Sequence, residues 1–219
     1  MKILFVTLFI IAFTSFLASI ALAQKKVAEL TLVYNYSLMT SGASAPSLTA
    51  SNTVYLKSSK SRTDLQSALF KSSTIHDAVS GTAVVLKELS GQKILIRLSR
   101  ENWEDKNRAF EGMQFQKLPE TKIIAGYKCE KATAVTRDGF TLNVYFTRDL
   151  IPDNKEYDPA FRNLDGLPLE YELTNGQSTI HNILASIDLN PVPASKFDIP
   201  TAGYREMTYE ESKKTHAGS

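Results

Sequence analysis

The stretch "AELTLVYNYSL", residues 28–38, alternates apolar and polar side chains along its length. In an extended chain, one side would carry the apolar set, which is Leu30, Leu32, Tyr34, Tyr36 and Leu38. The opposite side would carry Glu29, Thr31, Asn35 and Ser37. A period of two residues is typical of a strand that buries one face and leaves the other in water. The stretch therefore predicts a long strand in a sheet with one apolar face.

Two later stretches alternate in the same way. In "FTLNVYFTRDL", residues 140–150, one side carries Phe140, Leu142, Val144 and Phe146. In "IHNILASIDL", residues 180–189, one side carries His181, Ile183, Ala185, Ile187 and Leu189. The other side of this third strand would carry Asn182, Ser186 and Asp188. Each stretch predicts a half-buried strand.

Turn-forming residues separate the predicted strands. "SGQ" at 90–92, "RDG" at 137–139 and "TNGQ" at 174–177 each stand between two apolar-rich stretches. Short turns of this composition join neighbouring antiparallel strands into hairpins. The chain is therefore predicted to be mainly β, with strands that pair in sequence order in an antiparallel sheet.

Helix is scarce in the sequence. The best candidate is "SRENWEDKNRAFEGM", residues 99–113, with Ser99 as N-cap and an apolar stripe of Trp103, Phe110 and Met113. A shorter helical turn is predicted at "DPAFRNL", residues 158–164. A large sheet with so little helix either fills its apolar face with its own side chains, or curls part way and leaves a cavity beneath the helices. Periodicity alone does not choose between these outcomes.

The first 23 residues are predicted to be a signal peptide. An uncharged apolar run, "ILFVTLFIIAF", follows Lys2, and Ala21 and Ala23 form an A-x-A cleavage pattern before Gln24. A retained membrane anchor is the alternative, because the apolar character persists long enough to span a bilayer. The small residues at the end favour cleavage, and no cysteine follows for lipid attachment. We expect a soluble protein in the periplasm or the medium.

Cleavage would leave 196 of the 219 residues, enough for one domain with a core of its own. That domain is expected over residues 24–207, followed by a polar C-terminal tail, residues 208–219. The mature chain would carry 24 Lys and Arg against 23 Asp and Glu. A net charge of +1 gives no electrostatic reason to expect binding to nucleic acid or to an anionic membrane.

No familiar catalytic, metal-binding or cofactor-binding motif is present, so we expect a protein without cofactor, metal or catalytic residue. His181 is interpreted as a core histidine whose polar atoms are satisfied. Glu170 and Glu172 share a strand face, a spacing compatible with a glycosidase pair, but the simpler interpretation is that both face solvent. The acidic loop 153–158 lacks the spacing and the glycine of a calcium-binding loop.

The single cysteine lies in "AGYKCEKA", residues 125–132. Tyr127 and Cys129 share one strand face, while Lys128 and Glu130 share the other. A nucleophilic cysteine needs a positive, partly open environment and a base. Cys129 is therefore interpreted as a small apolar side chain in the core.

Three sequence marks resemble those of the GLPGLI-type secreted proteins of Gram-negative bacteria and of a closely similar family of unknown function. The first is a strand with Ile124, Gly126, Tyr127, Lys128, Cys129, Lys131 and Ala132. The second is an aromatic-Thr step, Tyr145, Phe146 and Thr147, and the third is a turn of Gly166, Leu167, Pro168 and Leu169. The turn departs from the strict GLPGLI string and fits the sister family better. The resemblance covers residues 112–207, while residues 27–111 match in strand order.

That family is similar in architecture to LolA/LolB-like and LppX-like envelope proteins. The resemblance implies one LolA-like domain, a strongly curved antiparallel half-barrel whose concave face is covered by one or two helices. In better-known relatives such a face holds the acyl chains of lipids or lipoproteins. The resemblance thus favours an open cavity, and it supplies no catalytic residues.

The resulting hypothesis is a non-enzymatic, monomeric protein that binds or carries a lipid-like ligand, an acyl chain or an envelope lipoprotein. The predicted lining residues on the sheet are Leu30, Leu32, Tyr34, Tyr36, Phe140, Leu142, Val144 and Phe146. The predicted lid residues are Trp103, Phe110 and Met113. An envelope structural or interaction module with a filled core is the alternative, and a hydrolase comes third.

Overall fold

The computed structural model describes residues 24–217, so the predicted signal peptide lies outside the described residues. Fourteen strands and two helices make up this part of the chain. The first seven strands are β1 (Lys25–Val27), β2 (Glu29–Thr40), β3 (Leu48–Lys57), β4 (Lys60–Gln66), β5 (Phe70–Asp77), β6 (Thr82–Leu89) and β7 (Gln92–Leu98). The other seven are β8 (Gln116–Ile124), β9 (Tyr127–Val135), β10 (Thr141–Thr147), β11 (Leu150–Pro152), β12 (Leu167–Thr174), β13 (Ser178–Asp188) and β14 (Arg205–Met207). The helices are α1 (Arg100–Lys106) and α2 (Tyr209–Ala217).

Twelve strands form one open sheet in the order β14-β7-β6-β5-β4-β3-β2-β13-β12-β10-β9-β8. The sheet consists of two meanders, β2 to β7 and β8 to β13, which join where β2 pairs with β13. All pairings within it are antiparallel except that of β14 with β7. The predicted fold class, a mainly β, strongly curved antiparallel sheet with few helices, is confirmed. Strands β1 and β11 form a separate parallel pair.

We call the inner face of the sheet the one that carries the apolar side of β2. Leu30 and Leu32 are completely buried there, and Tyr34 is 2% exposed. Strand register carries this face from β2 into β3 and β13 on either side. The alternation at residues 28–38 therefore predicted both the strand and its buried side correctly.

The predicted face of β13 is wrong for its first half. Asn182 and Leu184 are buried on the inner face, whereas Ile183 is 39% exposed on the outer face. A β-bulge between Leu184 and Ser186 reverses the alternation, so Ile187 is again opposite Leu32. His181 consequently lies on the outer face and is not a core histidine.

Helix α1 is shorter than the predicted helix over residues 99–113. Ser99 is the N-cap as predicted, and its hydroxyl accepts a hydrogen bond from the Asn102 backbone N–H at 3.2 Å. The helix ends at Asn107, whose side-chain amide donates to the Trp103 carbonyl at 2.8 Å and so satisfies a terminal acceptor. A 3₁₀ turn at Arg108–Phe110 continues the chain, and the turn predicted near Pro159 is a 3₁₀ turn, Pro159–Phe161.

The C-terminal part of the chain covers both faces of the first meander. On the outer face, Val192 and Phe197 pack against Ile75 of β5, and Tyr204 packs against Leu86 of β6. On the inner face, α2 forms within the residues predicted to be a polar tail. Tyr209 of α2 packs with Ile96 and Trp103, among other side chains. The structured part of the chain therefore extends beyond Met207.

Cys129 is completely buried and packs with Leu167 and Leu169 of β12, so the interpretation of this residue as a core side chain is confirmed. Its Sγ lies 3.6 Å from the Tyr127 carbonyl oxygen. Burial raises the pKa of the thiol to about 11. The thiolate form is therefore suppressed at neutral pH, which makes the residue a poor nucleophile.

Gly166 is required by a close approach of two strands. An added Cβ at this position would lie 2.2 Å from the Thr147 carbonyl oxygen and 2.7 Å from the Phe146 ring. Thr147 and Phe146 end β10, and they are paired with Leu167 and Pro168 at the start of β12. The aromatic-Thr step at the end of β10 and the glycine turn before β12 are thus in direct contact with each other.

We predict that Gly166→Ala destabilises the protein by about 2–3 kcal/mol, because backbone atoms of β10 would have to move to admit the methyl group. Chemical denaturation measures this loss. Gly42→Ala is the matched control, since Gly42 has φ +80° with no neighbour within 4 Å of an added Cβ. It should cost about 1 kcal/mol from backbone strain alone. Equal losses in the two variants would contradict the proposed clash.

We predict that Cys129 in the folded protein reacts with a thiol reagent only as fast as the chain unfolds. Cys129→Ser should cost about 1–3 kcal/mol, because a hydroxyl replaces a buried apolar group. Labelling rates in increasing urea, followed by mass spectrometry, test the first statement. Rapid labelling without denaturant would show that the thiol is accessible.

Candidate functional site

Besides α2, two short segments cover the inner face of the sheet. The first is α1, whose Trp103 stacks on His76 of β5 with ring centroids 4.6 Å apart. The second, which we call the lid loop, comprises residues 153–164 and contains two 3₁₀ turns. Its Phe161 packs edge-on against Tyr171 of β12 at 4.9 Å, and its Tyr157 is buried in the core. Together they form a cover made of few residues.

Most of the predicted lining and lid residues are packed tightly into the core. Eight of the eleven are at most 8% exposed, and these are Leu30, Leu32, Tyr34, Trp103, Met113, Leu142, Val144 and Phe146. The other three, Tyr36, Phe110 and Phe140, are partly exposed. The buried eight belong to three separate apolar clusters, one around β2, one around β10 and one around Trp103. In this conformation they form core, and a ligand-binding role for them stays a prediction.

The inner face is more open on β4, β5 and β6. Thr63 of β4 is opposite Thr74 of β5, and Leu65 is opposite Ser72. Ser72 is in turn opposite Lys87 of β6. All five side chains are partly exposed. The sequence analysis missed this region because small polar residues on an inner face give no apolar signal.

Two grooves flank α1. One has a volume of about 480 Å³ and lies between α1 and the lid loop. Its lining residues are Trp103, Glu104, Asp105, Asn107, Arg108, Phe110, Glu111, Pro159 and Arg162. The second has a volume of about 490 Å³ and lies between α1, α2 and the inner face of β6 and β7. Both volumes fall within the range of small-molecule sites.

Polar contacts hold α1 in place at its two ends. Arg100 donates to the Ser80 carbonyl at 2.8 Å at the first residue of the helix. Near its end, the Asp105 carboxylate accepts hydrogen bonds from Tyr209 and Lys213 of α2, both at 2.9 Å. Trp103 is the one buried residue of the helix. Since exposed ion pairs contribute little stability, α1 is attached mainly through a single side chain.

A polar network lies within the core beside these clusters. The Asn52 amide donates to Asn182 Oδ1 at 3.1 Å and to the Tyr171 hydroxyl at 3.4 Å. The Tyr34 hydroxyl donates to the Pro168 carbonyl at 2.8 Å. Within the described residues, Asn52 Oδ1 and the Tyr157 hydroxyl have no hydrogen-bond partner. Buried polar atoms without a hydrogen-bond partner destabilise an apolar core. The residues of this network form the polar part of the inner face beneath the cover.

Asp158 of the lid loop lies beside this network, where its charge interacts with the hydroxyls of Tyr34, Tyr157 and Tyr171. Its carboxylate accepts a hydrogen bond from the Ala160 backbone N–H at 2.9 Å and so caps the second 3₁₀ turn. Burial raises the pKa of this carboxyl to about 6, because the charged form loses hydration. The lid loop therefore carries an acid that is partly protonated near neutral pH.

Glu170 and Glu172 do not simply face solvent. On the outer face, Glu170 forms an ion pair with Lys122 at 2.5 Å and lies 3.4 Å from His181 Nε2. Glu172 lies 3.7 Å from the same nitrogen. Lys122 also sits over the Tyr145 ring, 4.1 Å from its centroid. The first carboxylate is thus occupied by a cation, and the cluster lies on the opposite side of the sheet from the grooves.

Within residues 24–217, no group of three or more His, Cys, Asp or Glu side chains is arranged to hold a metal ion. None of the helices in that range combines the length and the apolar character needed to cross a membrane.

The family model described as "Domain of unknown function (DUF4412)" matches residues 37–158, more than half of the chain. The chain belongs to the DUF4412 family. The comparison thus supports a family of unknown function, and it does not support the name GLPGLI. The match includes Cys129 and Phe146 but ends before Gly166. No curated protein matches the sequence.

This DUF4412 chain is similar in fold to PNGF-II, with a TM-score of 0.51 and 15% identity, over 84% of this chain and 33% of that one. It therefore spans about a third of the length of PNGF-II. The MucA/MucB complex of Pseudomonas aeruginosa gives a TM-score of 0.45 and 11% identity, covering 79% and 56% of the chains. The LolA superfamily protein NE2245 from Nitrosomonas europaea gives 0.37 and 9%, covering 80% and 92%.

We predict that Asp158→Asn stabilises the protein above about pH 6 and has little effect near pH 4. The folded-state pKa lies above the ordinary value of 3.8, so the folded state holds this proton more tightly than the unfolded chain. Wild-type stability is therefore lost as the pH rises between these two values. Asparagine keeps the cap and removes the charge, and the gain should be about 1 kcal/mol because the side chain is only partly buried.

Urea denaturation at both pH values measures this difference. Asp153→Asn is the control, since Asp153 is exposed in the same loop. A gain for Asp158→Asn that is equal at both pH values would contradict a raised pKa.

Proposed function

We propose that this protein is an exported, non-enzymatic binding protein that holds a lipid-like ligand on the inner face of its sheet, beneath α1. The observation that carries the proposal is the pair of grooves, about 480 and 490 Å³, on either side of a helix held mainly by Trp103. The second groove lies against the inner face of β6 and β7, and Lys87 joins it to the open region of β4 to β6. Export is supported by the apolar run at residues 3–13 and the A-x-A pattern before Gln24.

The energetics favour an apolar ligand at this position. Each buried methylene contributes about 0.8 kcal/mol, so a chain of several carbons offsets the loss of the polar contacts at the ends of α1. Displacement of α1 would uncover Trp103 and the inner positions of β6 and β7 that pack with it, Ala83, Val85, Ile96 and Leu98. The predicted lid residues Trp103 and Phe110 line the first groove already.

The other predicted lining residues are assigned a supporting role in this proposal. Leu142, Val144 and Phe146 pack beneath Phe110 and Met113, so they form the base on which the end of the lid rests. Leu30, Leu32 and Tyr34 form the floor under the lid loop, next to Tyr157. A ligand that enters only the grooves would leave both sets buried.

An interaction module with a filled core is the second candidate. The observation that favours it is the burial of eight predicted lining residues in the present conformation. A module of this kind needs no internal ligand and would bind through its surface. The two candidates differ in whether a small apolar molecule binds the purified protein.

We predict that the purified mature protein binds dodecanol with 1:1 stoichiometry and that binding changes the fluorescence of Trp103, the only tryptophan in the chain. Native mass spectrometry gives the stoichiometry, and fluorescence titration gives the affinity. Thr74→Phe, which adds bulk to the inner face directly opposite the groove residue Val85, should weaken binding at least about fivefold through steric exclusion.

Thr49→Phe is the matched control, because Thr49 is an exposed residue of β3. This variant should bind as the wild type does. A protein whose mass and Trp103 fluorescence stay unchanged throughout the titration would exclude the carrier function and favour the filled-core module.

A further inference from the structure

The groove between α1 and α2, which we call the basic groove, combines an apolar floor with charged walls. The floor is made by Val85 of β6 and by Ile96 and Leu98 of β7, all on the inner face of the sheet. Tyr209 and Ser212 of α2 are the other uncharged residues that line the groove. A site of this composition suits a molecule with both an apolar part and a polar head.

The charges of the basic groove are predominantly positive. It is lined by four cations, which are Lys87, Lys106, Arg108 and Lys213. The one carboxylate, Asp105, is already paired with Lys213 at 2.9 Å and lies 3.8 Å from Arg108. Lys106 has no ion-pair partner within the described part of the chain. The lining therefore has an excess of three positive charges, in a chain whose overall net charge is +2.

Lys87 and Lys106 both line the basic groove, and their positive charges repel each other. Burial lowers the pKa of Lys87, and repulsion from Lys106 lowers it further. Burial also lowers the pKa of Lys106. Lys87 projects from the floor, opposite Ser72 and Ile94 in the sheet, while Lys106 is the last residue of α1. An anion placed between the two amines would relieve this repulsion and gain charge-assisted hydrogen bonds.

We infer that the basic groove binds a single-chain anionic amphiphile, with its head group between Lys87 and Lys106 and its chain along Val85, Ile96 and Leu98. The inference rests on the proposed function and goes further by naming the charge of the ligand and the residues that recognise it. A simple inorganic anion would leave the apolar floor unused. A single alkyl chain with its head group suits the groove volume of about 490 Å³.

The test compares dodecanoate with uncharged dodecanol, each titrated below its solubility limit and measured by calorimetry and Trp103 fluorescence. The wild-type protein should bind dodecanoate at least about tenfold more tightly, the value expected for hydrogen bonds to a charged group. This preference should shrink as the salt concentration rises from about 20 to about 300 mM. The salt dependence is measured on the wild type, so it does not depend on the folding of any variant.

The double variant Lys87→Gln, Lys106→Gln should lose this preference and bind dodecanoate and dodecanol with equal affinity. Lys60→Gln, Lys71→Gln is the matched control, since both lysines are exposed and lie outside the basic groove. Equal wild-type affinity for the two probes, or a preference that survives in the double variant, would overturn the inference and leave the proposed function standing. Failure of both probes to bind the wild type would overturn the proposed function as well.

Discussion

The rest of the sheet depends on the pairing of β2 with β13. Each meander consists of sequential hairpins, whereas β2 and β13 are almost a whole domain apart in sequence and pair from Thr31 to Thr40, with one bulge in β13. Closing such a long loop costs chain entropy before the contact stabilises the fold. Here the burial of the apolar side of β2 offsets that cost. Tyr34 adds to it because its hydroxyl reaches the Pro168 carbonyl of β12, one strand beyond the pairing.

Where the second meander packs near that junction, two positions tolerate only particular residue types. Cys129 must be small and apolar because it packs among Leu167 and Leu169 in the cluster that also contains Leu30. Gly166 must lack a side chain because the Thr147 carbonyl occupies the space. Cys129 and Gly166, two of the sequence marks that resemble a secreted family, are therefore explained by packing at the start of β12.

A structural feature could be predicted from the sequence when it depends on neighbouring residues alone, and not when it depends on a distant part of the chain. Alternation at residues 28–38 depends only on the pleat, so the strand and its buried side were predictable. The β-bulge after Leu184 depends on the partner strand, and without it His181 was assigned to the wrong face. Helix α2 has a polar sequence and is stabilised by Tyr209 packing on the sheet and by the contact of Lys213 with Asp105, and neither contact is visible in its own residues.

The sequence pattern was also a poor guide to the candidate site. Apolar alternation identifies large side chains on the inner face, and large side chains fill space, so residues such as Leu142 and Val144 became core. Space remains where the inner positions are small or charged, as at Thr74 and Lys87, which are both partly exposed. A search for apolar alternation therefore finds the filled parts of the inner face and overlooks the open ones. In a curved sheet of this kind, interruptions of the apolar face are therefore the better guide to a binding site, and here they lead to the grooves beside α1.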